Sequence, residues 1–467
     1  MRKILLAASA IAGFAAVSAG NANAQMPNQP VMDTSYAQPV GVVNGYPAPG
    51  TIVVRLQGFL DVLDGVTNDS GTVAKNTSGV PTGNKTGSVL FQSYARIKFG
   101  FDATAANGLI YGAAFETRQT AGYAGSMNGS FGTSSFGTAM DMWRQGGYVG
   151  TPTLGKVWFG QIDGAIERFM TGTFENYDVV GGWNAITLPA FVNSNTQLSW
   201  VFPEDSIFYR TEKLTYLSPS IMGFDFGATF EPNQNTSGTA QCGQATNVAP
   251  GCPDISTTLG QTIQRKNTYD AVARYKGSFG PVAVVGTAGY IGSGVVGYNG
   301  FSASTGLATP VAKAKGLSVF DAGATVTVAG LTVGGHYTGG AINNSDAPIR
   351  TGQKDGNNFI LGASYTIGTI VVGANYINEQ NAGTGITNAA GTITNSGSML
   401  HEVGVGVGGS WDYAPGAAAF VSGIWGTRHQ AGIDLLNGVA NGASGPTHGQ
   451  NNNTRAEALV IGNRFQF

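Results

Sequence analysis

The sequence predicts an all-β fold, a transmembrane antiparallel β-barrel of about sixteen strands. Two observations carry this prediction. From Thr51 onward, apolar side chains alternate with small or polar ones, so each segment has one apolar and one polar face. The connections between these segments also alternate strictly between long and short. This is the layout expected of a membrane barrel with short periplasmic turns and long external loops.

The predicted strands follow from the alternation of side chains along the chain. They begin near residues 51, 89, 108, 141, 154, 207, 221, 266, 280, 316, 331, 356, 369, 399, 416 and 453. Long connections occupy 62–88, 119–140, 163–206, 232–265, 293–315, 380–398 and 429–452. Short turns such as 151–153 and 414–415 join the other strand ends. A secreted β-sandwich is the alternative, but it would not need such regular alternation of loop lengths.

Composition agrees with this fold class and excludes others. Charged residues make up 11% of the chain, less than half of the roughly 25% usual in soluble proteins. The 72 glycines are about twice the usual share. We therefore exclude a disordered polyelectrolyte, a coiled coil and a nucleic-acid-binding protein with a broad basic face. Beyond the N-terminus, no apolar run reaches the about 18 residues that a transmembrane helix needs.

The N-terminal residues predict export. Two basic residues precede a short apolar stretch, and an Ala-x-Ala cleavage pattern ends at Ala24. We expect cleavage after Ala24, which makes residues 1–24 a signal peptide. Residues 25–50 contain five prolines and no periodicity, which indicates a flexible periplasmic leader. The barrel domain is expected over residues 51–467.

Cys242 and Cys252 are the two cysteines of the chain, and they lie in a Gly-, Asn- and Thr-rich stretch between two predicted strands. In an oxidising compartment they are expected to form a disulfide that closes a loop. A metal site would need further ligands, and no histidine lies near them in sequence. The sequence therefore predicts no metal site and no cofactor.

Three internal motifs and the C-terminus carry a family resemblance. Residues 93–100 contain Tyr-Ala-Arg before an apolar end, residues 144–161 contain RQGGYVG and LGKVWFGQ, and residues 216–224 contain YLSP followed by GF. The chain ends in alternating aromatics at Phe465 and Phe467, which resembles the signal that the barrel-assembly machinery recognises. Together these features resemble the sixteen-stranded general diffusion porins of Gram-negative bacteria.

This resemblance implies a homotrimer in the cell outer membrane, in contact with lipid and lipopolysaccharide. Each barrel would be a water-filled channel for passive diffusion of small hydrophilic solutes and ions, narrowed by a third external loop folded into the lumen. The resemblance implies no enzymatic activity, and none of the four histidines stands in a nucleophile context. A substrate-selective channel for sugars or carboxylates is the alternative, followed by a barrel enzyme and a structural or adhesive barrel.

Candidate pore residues come from the motifs and from strand parity. Arg96 and Arg144 match motif positions whose arginines line one wall of the porin constriction. Strand parity adds three more basic residues on the interior face, because an unpaired charge facing lipid would cost about 2–4 kcal/mol. We name as the basic wall Arg55, Arg96, Lys98, Arg118 and Arg144. Facing it we expect the loop-3 carboxylates, which are Asp163, Glu167, Glu175 and Asp178. Opposed charges of this kind set up a transverse field across a pore.

Overall fold

A computed structural model describes residues 47–70, 73–75, 81–85, 88–119, 140–174, 198, 211–233, 263–297, 314–343, 347–386, 393–395, 397–436, 439–440 and 451–467. Four residues singled out in the sequence lie outside these ranges, namely Glu175, Asp178, Cys242 and Cys252. The expected signal peptide and most of the expected leader do so as well. No helix within the described ranges is both long and apolar enough to cross a membrane.

The described chain consists almost entirely of strands. In chain order they are β1 (Ile52–Asp69), β2 (Val73–Lys75), β3 (Pro81–Lys85), β4 (Val89–Thr104), β5 (Ile110–Gln119), β6 (Met140–Thr151), β7 (Gly155–Ile162), β8 (Thr211–Leu217), β9 (Phe224–Asn233), β10 (Ile263–Phe279), β11 (Val282–Gly297), β12 (Ser318–Val328), β13 (Leu331–Ala341), β14 (Gly356–Ile367), β15 (Ile370–Asn381), β16 (Leu400–Ala414), β17 (Ala417–His429), β18 (Ile433–Asp434), β19 (Val439–Ala440) and β20 (Asn453–Gln466). A short helix, α1, spans Ala165–Phe169.

Sixteen of these strands close into one antiparallel barrel in the described part of the chain. β1 pairs with β4 on one side and with β20 on the other, which closes the sheet. β2 with β3, and β18 with β19, form two small separate antiparallel two-stranded sheets. The predicted barrel and its strand number are confirmed, and the largest error in a strand start is at β8, predicted from residue 207 and observed from Thr211.

Short turns join the strands at one end of the barrel. β12 and β13 are connected by Ala329 and Gly330 alone, and both residues have positive φ, at 50° and 84°. Two consecutive residues with positive φ make the type I′ geometry, whose twist matches that of the flanking strands. The alternation of tight turns with long connections is therefore confirmed.

Alternation along each strand separates an apolar outer face from a polar inner face. In β5, Glu116 and Arg118 are buried, whereas the neighbouring Phe115 points to the other face. Large apolar side chains are exposed on the outside of the barrel, among them Val54, Phe91 and Leu361. An outward apolar band and a polar interior are the arrangement required of a barrel that crosses lipid.

The connection that follows β7 is here named loop 3, and its described residues, 163–174 and 198, lie inside the barrel against its inner wall. Its helix α1 packs against β8, β9 and β10. Further along, Phe174 lies against Gly362 of β14. Leu198 is buried in an apolar cluster with residues of β1, β14, β15, β17 and β20. The expected inward fold of the third loop is confirmed.

Glycines on the inner face of the wall leave the space that loop 3 occupies. A Cβ atom added at Gly227 would lie 2.6 Å from the Cβ atom of Ala165, and one added at Gly362 would overlap the side chain of Phe174. We name these positions the glycine track, which comprises Gly227, Gly289, Gly323 and Gly362. Because real Cβ atoms do not approach so closely, any larger residue on the track would displace loop 3 or the wall.

Replacing Gly362 with Ala is expected to lower the free energy of unfolding by about 1–3 kcal/mol, because the added methyl group overpacks the contact with Phe174. Urea unfolding of the refolded protein, followed by tryptophan fluorescence, measures the change. Gly423→Ala is the matched control, since its Cβ atom would meet Val407 at an ordinary 3.6 Å. Equal stability of the two variants would contradict the tight fit of loop 3.

Candidate functional site

The register of three adjacent strands brings most of the basic wall together. Arg96 and Lys98 of β4 lie directly opposite Arg118 and Glu116 of β5. Glu116 in turn lies opposite Arg144 of β6. Side chains of directly opposed residues share one face of a sheet and contact each other. Three strands therefore place four basic groups and one carboxylate at the same point of the inner face.

Glu116 is the centre of this cluster and is fully buried. Its carboxylate lies 2.9 Å from Arg144 Nη1, 3.6 Å from Arg96 Nε and 3.9 Å from Lys98 Nζ. Arg118 Nε also donates a hydrogen bond to it. A buried carboxylate is stable only when charged partners and hydrogen bonds replace its water, and here four cations do so.

Arg144 joins the basic wall to loop 3. Its Nε lies 2.6 Å from Oδ1 of Asp163, the residue that directly follows β7. The same guanidinium therefore bridges Glu116 on the wall and Asp163 on the loop. Of the four loop-3 carboxylates, Asp163 is the one that the described structure places against the wall.

Glu167 has a different environment. Its carboxylate accepts a hydrogen bond from the backbone N–H of Gly164, at the start of α1. Burial raises the pKa of this loop carboxyl well above its usual range. Glu167 thus stabilises the start of the helix and adds less negative charge to the site than Asp163. The two remaining loop-3 carboxylates lie outside the described residues.

Arg55 stands at the edge of the basic wall, on β1. Its Nε lies 2.7 Å from Oδ2 of Asp102, and Tyr148 donates a hydrogen bond to the other oxygen of that carboxylate. Five basic residues of the wall therefore meet three carboxylates, a surplus of two positive charges within the described site. In a medium less polar than water such a surplus acts over a longer range.

Four further arginines on the inner face were not singled out from the sequence, although strand parity places them there as well. Each contacts a carboxylate on a neighbouring strand at 2.6–2.9 Å. These pairs are Arg265 with Glu231, Arg274 with Asp225, Arg428 with Glu402, and Arg464 with Asp61. In the described structure three of these pairs join one arginine to one carboxylate, whereas Glu231 of the fourth pair also lies 4.0 Å from Lys213 Nζ.

Replacing Glu116 with Gln is expected to destabilise the barrel by about 3–5 kcal/mol, because four buried cations then lose their common counter-charge. The free energy of unfolding in urea measures this loss. Asp355→Asn is the control, since Asp355 forms an exposed pair with Lys315 and should change stability by less than about 1 kcal/mol. Similar small losses in both variants would show that Glu116 does not hold the cluster together.

A search of curated protein sequences gave no significant match. Solved structures to which this chain is similar include a porin refined at 1.8 Å (15% identity, covering 89% of this chain and 100% of that chain, TM-score 0.46). A double mutant of the porin of Rh. blastica is 14% identical, with 89% of this chain and 100% of that chain covered and a TM-score of 0.44. The trimer form of OmpT, an outer membrane protein of Vibrio cholerae, is 12% identical, with 89% of this chain and 99% of that chain covered and a TM-score of 0.48.

The sequence match to a protein family is the stronger finding. The family model described as Gram-negative porin matches residues 7–427, which is most of the chain. Together with a closed sixteen-stranded barrel whose outer face is apolar, this match settles both the family and the compartment. The chain belongs to the Gram-negative porin family and is an outer-membrane porin channel.

Proposed function

We propose that this porin lets small hydrophilic solutes and ions pass by passive diffusion and that it prefers anions. The observation that supports this proposal is that, among the described residues, the basic wall brings five basic groups together with three carboxylates. A ring or wall of basic side chains favours anions in a pore. Sixteen strands also make a barrel wide enough for an aqueous channel, whereas the interior of an eight-stranded barrel is filled by side chains.

Loop 3 supports the proposal because it places a fixed structure inside the barrel beside the basic wall. The Arg144–Asp163 contact holds the start of the loop against β6. Helix α1 then holds the next segment against β8, β9 and β10. We infer that a loop attached at these points narrows the lumen beside the basic wall. Pore width and charge at this level would select solutes by size and sign.

A planar lipid bilayer under a potassium chloride gradient tests the proposal. We expect ohmic conductance steps. We also expect the reversal potential to have the sign that a chloride-selective pore produces under this gradient. Lys98→Gln should move the reversal potential toward zero, because it removes one positive charge at the edge of the cluster. Lys315→Gln is the control, because this lysine is exposed and pairs with Asp355 away from the wall.

A cation-selective reversal potential would contradict the anion preference. Conductance that saturates with a sugar or carboxylate would instead favour the substrate-selective channel. Absence of conductance from folded protein would contradict a diffusion channel altogether.

We also propose that three copies assemble through the outer face of β4–β6. In the described chain this sector exposes Phe91, Phe99 and Met142 and one tyrosine, Tyr111. The rest of the outer face carries the aromatic side chains typical of lipid interfaces: Tyr216, Tyr269, Tyr290, Tyr337, Tyr365, Tyr376, Tyr413 and Trp425. Phe99 also stacks on Phe115 within this sector, with ring centroids 5.0 Å apart.

Phe99→Glu is expected to convert the trimer into monomers, because a carboxylate would be buried without a partner in the subunit contact. Native mass spectrometry of the detergent-solubilised protein measures the number of copies. Leu361→Glu places the same charge on the outer face of β14 and should leave three copies. A trimer that survives Phe99→Glu would place the contact elsewhere.

Export and assembly complete the proposal. We propose that the chain is cleaved after Ala24 and reaches the outer membrane through the barrel-assembly machinery, where it contacts lipid and lipopolysaccharide. Phe465 and Phe467 support the assembly step, since both are exposed on the outside. The backbone of Phe467 also exchanges two hydrogen bonds of 3.0 Å with Gly58 of β1, so the last residue takes part in barrel closure.

A further inference from the structure

His336 makes a pair of contacts that the pore described above does not use. It lies on the inner face of β13 and is 3% exposed. Its Nδ1 is 2.9 Å from the carbonyl oxygen of Thr171 in loop 3, and its Nε2 is 2.8 Å from Oδ2 of Asp321 on β12. The imidazole ring therefore stands between the wall of the barrel and the backbone of loop 3.

Both atoms that face the ring are hydrogen-bond acceptors. A carbonyl oxygen accepts and cannot donate, and a neutral imidazole has a single N–H. The Thr338 hydroxyl lies 2.8 Å from Oδ2 of Asp321 and donates to it, so this oxygen fits as an acceptor for both neighbours. A ring with two N–H groups satisfies both contacts, whereas a neutral ring leaves two acceptors facing each other. The network thus fits a protonated His336.

From this geometry we propose that His336, as an imidazolium, is a positioning residue that fastens loop 3 to the wall and makes the width of the pore depend on pH. The inference deepens the proposed diffusion function and depends on it. When the imidazolium loses its proton at higher pH, one of the two hydrogen bonds is lost. The remaining proton stays on Nε2, because the Asp321 carboxylate is a stronger acceptor than the Thr171 carbonyl oxygen. Loop 3 is therefore released at Thr171 and moves more freely within the pore.

Within the described residues, the charged side chain shown in contact with His336 is that of Asp321 on β12. Gly323 and Ile360 lie directly opposite His336 on β12 and β14, and neither titrates. The charged side chains of α1 in loop 3 are directed elsewhere. Arg168 lies over Trp158 and donates to the carbonyl oxygen of Asp163, and Glu167 accepts from Gly164.

The position of this contact in loop 3 explains why its loss would loosen the loop. Thr171 lies between α1, which packs on β8–β10, and Phe174, which packs on β14. Its carbonyl group sits directly above Gly323 of the glycine track. Its hydroxyl lies 3.4 Å from that of Thr325, at the limit of a hydrogen bond. The His336 contact is the stronger polar link between this segment and the wall.

The test records single-channel currents in planar bilayers from about pH 5 to about pH 10, a range that contains the usual titration of histidine. Wild-type channels are expected to show few transient closures at low pH and about ten times more of them at high pH. This change in closure frequency is the one expected for loss of one charged hydrogen bond. His336→Gln should close often at every pH. His429→Gln is the matched control, since His429 lies at the end of β17 against Asn453 and should keep the wild-type profile.

A second readout does not require conductance. Nitrogen-15 NMR of the imidazole rings in the refolded protein should show one histidine, absent in His336→Gln, with both ring nitrogens protonated at neutral pH. A neutral ring, a flat wild-type pH profile or a His336→Gln profile equal to that of the wild type would each overturn the proposal. If no variant conducts, the diffusion function fails, and the NMR result alone decides the charge of His336.

Discussion

Closure of the barrel is the constraint on which the rest of the structure depends. Backbone N–H and C=O groups find no water in the hydrocarbon core, so a spanning sheet must pair every strand and leave no edge. β1 meets this need by pairing with β4 on one side and with β20 on the other, down to the last residue of the chain. Once the sheet is closed, alternate side chains have one of two environments, lipid or interior. The apolar and polar faces of every strand follow from that division.

The closed wall also determines how loop 3 can lie inside. The loop follows the inner surface because the glycine track removes the side chains that would obstruct it, and because Arg144 and His336 supply polar contacts along the way. Apolar contacts at Leu198 add a further attachment on the opposite side. A loop held at several points keeps the width of the pore defined, and a selective pore requires a defined width. The polar interior of this barrel is thus a packed structure as well as a lining for water.

Charge is distributed unevenly over the inner face. Pairs such as Arg274 with Asp225 and Arg464 with Asp61 are balanced and satisfy a polar wall. At the basic wall, cations outnumber carboxylates and surround Glu116. The difference matters because a balanced pair has little field beyond its own surroundings, whereas a surplus attracts counter-ions from the lumen. The anion preference that we propose depends on this local excess more than on the total number of charges.

The sequence by itself determined the barrel, its sixteen strands, the order of turns and loops, and the inner position of the basic wall. These features are local, because period-two alternation and loop length can be read along one strand at a time. The tertiary structure alone decided that Glu116 gathers four cations, that Asp163 contacts the wall while Glu167 stabilises α1, and that His336 meets Thr171. These contacts depend on strand register and on the path of a long loop, and the alternation of one strand contains information about neither.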